Sequence, residues 1–410
     1  MVFVSTSFNL YVFDVYDKKL ANQQGKGSIE VSLEENTTYY YQWYTENGWS
    51  EMCRYETKSF TDHKALVIGD IQIGGQSEES SVQSDVGYNW NNVLAKALQD
   101  NPDVSYLVSP GDNTSTGKTA DEWQTLLMPK AVRSLPMALA IGNHDKKGMT
   151  YNYYTNMPNE FYGKYFEGLD RDFWFRHGDV LYLVFDACSA SAADHMAMAK
   201  EAVEANPDAK WIIAVMHHDM FGGREAWLET ENKLLRMLWT PFFDEFGVDL
   251  CLYGHSHYYS VSNVIYGRKN VTETGHNAVV TDAAGTVYLS SGSVNHLAPL
   301  LTDEGQVPPV GENAGYVFLE EEMIYNLMEF SDDTLTVKSY TVDSDELFNT
   351  LTLEKTSAKG GHVYKNSAWY LKGLAKFAGT IVNIINNYDM YKRYINDGYD
   401  VSIKQGLIGS

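Results

Sequence analysis

A chain of 410 residues exceeds the roughly 250 to 300 that one hydrophobic core organises, so a large domain with smaller companions is expected. With 44% hydrophobic and 21% charged residues and no apolar run of about 18, the composition is globular and excludes a helical membrane span. The net charge of −23 argues against nucleic acid as a partner, since such binding rests on neutralising phosphates with Lys and Arg. It also requires any phosphate site to draw its attraction locally, as bound cations can.

The chain opens on Met1–Phe13, which alternates like a strand and has neither a basic start nor a long apolar stretch, so no signal peptide is read there. Phe8–Val15, Ser28–Leu33, Thr37–Tyr44 and Cys53–Phe60 are predicted strands, with hairpin turn chemistry at Asn47-Gly48. Residues 1–62 therefore form a small antiparallel β domain. At about 60 residues it falls two or three strands short of the roughly 100-residue immunoglobulin-like sandwich, so an incomplete domain is expected.

From Lys64 apolar runs alternate with helical periodicity, the pattern of a layered α/β domain. The runs are Ala65–Ile68, Val104–Val108, Met137–Ile141, Val180–Phe185, Trp211–Met216 and Val248–Leu252. Between them Trp90, Val93, Leu94, Ala97 and Leu98 share one helical face, and Trp227–Phe246 behaves similarly. After Lys355, Gly360-Gly361 leads to Ser367–Asn387, whose Tyr370, Leu374, Phe377, Ile381 and Ile385 predict a helix docked on the main domain. Cys53, Cys188 and Cys251 are far apart and in no paired spacing, which indicates neither a disulfide framework nor a thiolate zinc site.

Five short motifs each follow one of the apolar runs: Gly69-Asp70-Ile71-Gln72, Gly111-Asp112-Asn113, Gly142-Asn143-His144-Asp145, His217-His218-Asp219 and Gly254-His255-Ser256-His257. Any one alone is ordinary turn chemistry or a pair of histidines sharing a strand face. Together they matter, because the carboxyl ends of strands in an open α/β sheet share one edge, where ligands bind. Asp70, Asp112, Asn143, His217, His255 and His257 would bring oxygen and nitrogen donors without thiolate, a set suited to Zn, Mn or Fe. Six side chains exceed the needs of one ion, and a carboxylate can bridge two.

In this order the motifs resemble the calcineurin-like metallophosphoesterases, within them the purple acid phosphatase-like branch, over about residues 64–355. The resemblance implies a four-layer αββα sandwich over 63–356, preceded by a fibronectin-III-like β domain at 1–62 and followed by a helical extension at 357–410. It implies a first metal on Asp70, Asp112 and His257 and a second on Asp112, Asn143, His217 and His255, with Asp112 bridging. The ions would be divalent or trivalent.

His144 would then face the phosphate, helped by His218, while the spacing to Phe221 favours His217 over His218 as the ligand. Gln72 stands where many relatives have a ligand His, so an amide oxygen or no ligand is expected there. Ser115 replaces the tyrosine that colours the purple enzymes, so a colourless protein is expected. His296 and Tyr151–Tyr154 are candidates to line a substrate pocket.

The expected activity is hydrolysis of phosphate esters, monoesters first, by in-line attack of a hydroxide held between the metals. Phosphodiester or nucleotide hydrolysis on the same site is the first alternative. A non-enzymatic envelope protein with a degenerate site is the second. The expected partner is a small phosphorylated substrate, and the resemblance places the protein outside the cytoplasm.

Overall fold

The computed structural model describes residues 2–13, 19–30, 32–45, 48–74, 82–147, 150–161, 171–189, 192–221, 230–295, 310–318 and 322–356. The predicted helix at Ser367–Asn387 and His296 lie outside them. Among the described residues no helix is long and apolar enough to cross a membrane, and Cys53, Cys188 and Cys251 are free thiols.

The first sheet comprises β1 (Val2–Phe13), β2 (Lys19–Glu30), β3 (Thr38–Thr45), β4 (Gly48–Trp49) and β5 (Cys53–Glu56), all antiparallel. β1 fills the alternating stretch from Val2 to Phe13, and β2 starts well before the predicted Ser28. Their ladder runs from Val2 opposite Glu30 and carries the strand through the polar stretch Asn22–Gly27, where side-chain pattern offers no signal. This sheet meets the rest of the chain at a turn spanning Lys130–Ser134: Tyr41 Oη donates to Arg133 O (2.5 Å) and Ser134 Oγ to Arg54 O (2.6 Å).

The remaining elements form two seven-stranded sheets flanked by helices, and one separate two-stranded hairpin. In chain order they are β6 (His63–Val67), α1 (Val82–Asp100), β7 (Tyr106–Ser109), α2 (Ala120–Leu127), β8 (Met137–Leu139), α3 (Asn143–Lys146) and α4 (Tyr151–Tyr154). Next come β9 (Phe173–His177), β10 (Val180–Val184), α5 (Ala192–Ala205), β11 (Trp211–Val215), α6 (Thr230–Phe246), β12 (Leu250–Tyr253), β13 (Tyr259–Ser262), β14 (Val264–Tyr266) and β15 (Lys269–Thr272). The last are β16 (Val279–Thr281), β17 (Val287–Ser291), β18 (Ala314–Val317), β19 (Ile324–Phe330), β20 (Thr334–Thr341) and β21 (Leu347–Glu354). One sheet has the order β16-β21-β20-β19-β6-β7-β8, the other β18-β13-β17-β12-β11-β10-β9, and β14 and β15 pair as the hairpin.

Alternation along the parallel strands sorts side chains into three layers. Ala65, Val67, Val108, Tyr182, Val184, Ile213, Val215, Leu250 and Leu252 fill the space between the sheets with Met328 and Val337. Leu66, Ile68 and Leu107 face Trp90, Val93, Leu94 and Ala97 of α1 and Trp123 of α2. Leu181, Leu183, Ile212, Ala214 and Cys251 face α5 and α6 through Met198, Leu238, Trp239, Phe242 and Phe243. Strands apolar on both faces read as unbroken hydrophobic runs in the sequence, and the stacking is a four-layer αββα sandwich.

At the far end of this sandwich, where β6 and β7 begin, Tyr182 and Tyr106 share a hydroxyl contact of 2.8 Å and Tyr106 Oη lies 3.1 Å from His63 Nε2. His63 Nδ1 faces Thr61 O at 3.3 Å, and the ring stacks on Phe330 and packs edge-on against His177. Burial pushes His63 down to about 4 and His177 to about 3. Both rings are thus neutral when folded and gain a proton more readily when unfolded, so stability present above about pH 6.5 drains away as the pH falls toward 4. The loss expected from His63 alone is about 3 kcal/mol. Denaturant melts at pH 7 and pH 5 should show the part of the fall due to this pair reduced by roughly half in His63→Phe, the His177 part remaining; an unchanged pH profile in that variant would contradict the assignment.

Candidate metal centre

The motifs all leave the carboxyl ends of parallel strands on one edge of the sandwich: Asp70 after β6, Asp112 after β7, Asn143 after β8, His217 after β11 and His255 and His257 after β12. Their backbones are unusual. Asp70, Gln72, Asp112, His255 and His257 have φ of 47°, 43°, 50°, 71° and 61°, a left-handed conformation that costs an L side chain about 1 to 3 kcal/mol and gathers at functional sites. Two glycines permit the crowding. A Cβ on Gly142 would sit 2.0 Å from Asp112 Oδ1, and one on Gly254 2.2 Å from Asp70 Oδ2.

All six candidate ligands come together. Asp70, Asp112 and His217 offer ligand atoms within 4.8 Å of one another. Asp112 Oδ2 lies 3.1 Å from His217 Nε2, while Asn143 Oδ1 accepts from His217 Nε2 at 3.0 Å and His255 Nδ1 at 3.1 Å. On the other side His257 Nε2 lies 3.3 Å from Asp70 Oδ1. Gln72 Nε2 donates to Asp112 Oδ2 (3.1 Å) and approaches His257 Nε2 (3.2 Å). Asp112 thus lies between His217 on one side and Gln72 on the other.

The donors fit transition-metal ions. Oxygen and imidazole suit Zn, Mn or Fe, and His217 Nδ1 faces Pro110 O at 3.3 Å, an outer contact that fixes the ring and leaves Nε2 for a cation. Charges are strongly coupled. Burial would raise the Asp112 carboxyl, but His217 and His144 hold it well below the usual range, while Asp112 and its acidic neighbours overcome burial to lift His217 to about 9. His255 is pushed down to about 4 by burial and by His217. On His257, burial is outweighed by Asp70 and the ring is raised.

His144 sits at the rim, its side chain 29% exposed. Its Nδ1 donates to Ser115 O at 2.6 Å and its backbone N–H to Asp112 Oδ1 at 2.8 Å, so Nε2 is the ring atom presented to a ligand. His218 is buried behind His255, ring centroids 4.6 Å apart, and its Nδ1 has no partner among the described residues. Burial and the charges of His255 and His217 keep it neutral. Tyr151 is 3% exposed, its hydroxyl donating to Leu139 O, and Tyr154 stacks on Trp123. Helix α4 turns the Tyr151 ring inward.

Sequence reasoning passed over the acids that lie behind the candidate ligands. Asp145, fully buried, accepts from Asn113 N and Nδ2, Thr114 N and Oγ1, and Gly142 N, at 2.8 to 3.1 Å. It ties the loop carrying Asp112 to the turn carrying Asn143. Burial and the Asp112 charge raise it to about 6 against those donors. Asp186, at the end of β10, pairs with Lys146 of α3 (3.3 Å), and its backbone N–H donates to Asp172, which faces His195 at 2.6 Å. The signal for Asp145 was its place inside a motif; Asp172, Asp186 and His195 carried none.

Known proteins share this fold. Residues 63–259 match the family model described as calcineurin-like phosphoesterase. Over 86 residues the chain is 31% identical to a phosphoenolpyruvate phosphatase of Allium cepa, an overlap of 20% of this chain and 17% of the relative. Among solved structures it is similar to a purple acid phosphatase, PPD1, of yellow lupin (Lupinus luteus): TM-score 0.63, 13% identity, 85% of this chain and 69% of that one. It is also similar to PhoD, with TM-score 0.55, 9% identity, and 94% and 92% covered. Just under half of the chain, residues 63–259, thus resembles the calcineurin-like phosphoesterases, and the fold around them is shared with phosphatases of known structure.

Proposed function

We propose that the protein is a metal-dependent phosphoester hydrolase whose preferred substrates are phosphate monoesters, carrying two ions. The observation that carries this is the meeting of two donor groups on Asp112, contacted by His217 on one side and Gln72 on the other. Asp70, Asp112 and His257 would hold one ion, and Asp112, Asn143, His217 and His255 the other. When bound, such ions polarise phosphoryl oxygens, acidify water and supply the positive charge that the chain at −23 lacks.

The protein's own groups do the rest. Asp112 aligns both donor groups, and the His144 backbone N–H holds its Oδ1. With Nδ1 donating to Ser115 O, His144 presents Nε2 to a phosphoryl oxygen or to the departing alkoxide, where it would act as the proton donor. His218, buried and neutral, supports the His255 ring rather than meeting substrate. An extracytoplasmic location fits this reading and belongs to the same proposal.

Metal-stripped protein reloaded with Mn²⁺ or Zn²⁺ should hydrolyse an aryl phosphate monoester faster than the matching diester. A diester preference would move the assignment to phosphodiesterases, and no hydrolysis with any metal would favour a binding protein. His144→Ala should lower kcat by roughly 10²- to 10⁴-fold on alkyl phosphates and much less on aryl phosphates, whose leaving groups need no proton. Equal losses on both would remove the proton-donor role.

A further inference from the structure

Gln72 is 1% exposed and sits between the two carboxylate-bearing loops with a left-handed backbone. Its Nε2 reaches Asp112 Oδ2 at 3.1 Å and His257 Nε2 at 3.2 Å, two residues of the same donor group. Its Oε1 is buried with no hydrogen-bond partner among the described residues. Buried amide oxygens are rarely left so. A half-turn about the last side-chain torsion exchanges the amide oxygen and nitrogen.

Each orientation has a consequence. Nitrogen inward, the amide occupies acceptors on Asp112 and His257 that a cation would use. Oxygen inward, it offers that cation a neutral carbonyl donor. The group around Asp70, Asp112 and His257 then has three oxygen ligands and one imidazole, whereas Asp112, Asn143, His217 and His255 supply two imidazoles and no competing amide N–H. Oxygen-rich sets suit harder, more exchangeable ions, and imidazoles bind Zn and Fe more firmly.

We propose that Gln72 makes the two metal positions unequal: the position built on His217 and His255 fills first, and the one built on Asp70 and His257 fills second and exchanges freely, after the Gln72 amide turns its oxygen inward. This rests on the metallophosphoesterase reading. It gives one side chain control over when the second ion, and with it the working site, is assembled.

Calorimetric titration of the metal-stripped full chain with Mn²⁺, followed in parallel by electron paramagnetic resonance, tests it. The wild type should show two one-equivalent events differing at least tenfold in affinity, with an isolated-ion spectrum at the first equivalent and a spin-coupled one only at the second. Gln72→His should tighten the second event by roughly 10- to 100-fold and Gln72→Leu should weaken it comparably, both leaving the first event in place. That retained first event, with thermal melting, shows that the variants fold.

Two equal events in the wild type, or variants that titrate like it, would overturn the proposal. Unequal loading without ester hydrolysis would leave it standing and remove the proposed function instead. A chain that takes up no Mn²⁺ would remove both.

Discussion

Asp112→Asn is expected to lower phosphoester turnover by roughly a thousandfold or more while the protein stays folded. A two-ion arrangement contributes several kcal/mol of transition-state stabilisation, each 1.4 kcal/mol being about tenfold in rate. In the proposed two-ion site Asp112 alone is shared by both donor groups, and it lies 3.1 Å from His217 and 3.1 Å from Gln72. An amide keeps the volume and can still accept the His144 backbone N–H, so the loop survives. It removes the charge that holds two cations together and balances the imidazoles. Steady-state rates with elemental analysis decide the matter: activity within tenfold of wild type at two ions per chain would refute the bridging role.

The second large effect is on stability. Asp145→Ala is expected to destabilise the protein by about 4 kcal/mol or more, lowering the melting temperature by roughly 10 °C. Alanine strands the amide protons of Asn113, Thr114 and Gly142, the Asn113 amide and the Thr114 hydroxyl in a site from which water is excluded. A buried donor without an acceptor costs about 1 to 3 kcal/mol. Relaxation of the loops recovers part of the sum and moves Asp112 and Asn143 apart, so activity should fall with stability. Asp145→Asn keeps one acceptor and should lie between. A loss under about 1 kcal/mol in Asp145→Ala would show that the network can be dispensed with.

Much of the site was legible because its residues sit at fixed offsets from strand ends. Gly69-Asp70 follows β6, Gly111-Asp112 follows β7 and Gly254-His255 follows β12, and parallel strands deliver their carboxyl ends to one edge whatever fills the layers. The choice of His217 over His218 agrees with the geometry, as Nε2 of His217 reaches Asp112 while His218 is buried behind His255.

Other features depend on partners remote in the chain. Asp172 and His195 are 23 residues apart and gain meaning only when β9 and α5 pack together. The inward turn of Tyr151 follows from the position of Leu139 O, and the length of β1 and β2 from their mutual ladder.

The amino-acid sequence by itself determined the layered α/β class, the order of the strands that bear the site and the clustering of six candidate donor side chains at one edge, because local periodicity and strand-end position are properties of the chain alone. Tertiary structure alone decided which donors share Asp112, that Gln72 lodges against both Asp112 and His257, and that Asp145 locks two loops together. Those are distances between segments as far as 185 residues apart, set by sheet packing rather than by any local preference.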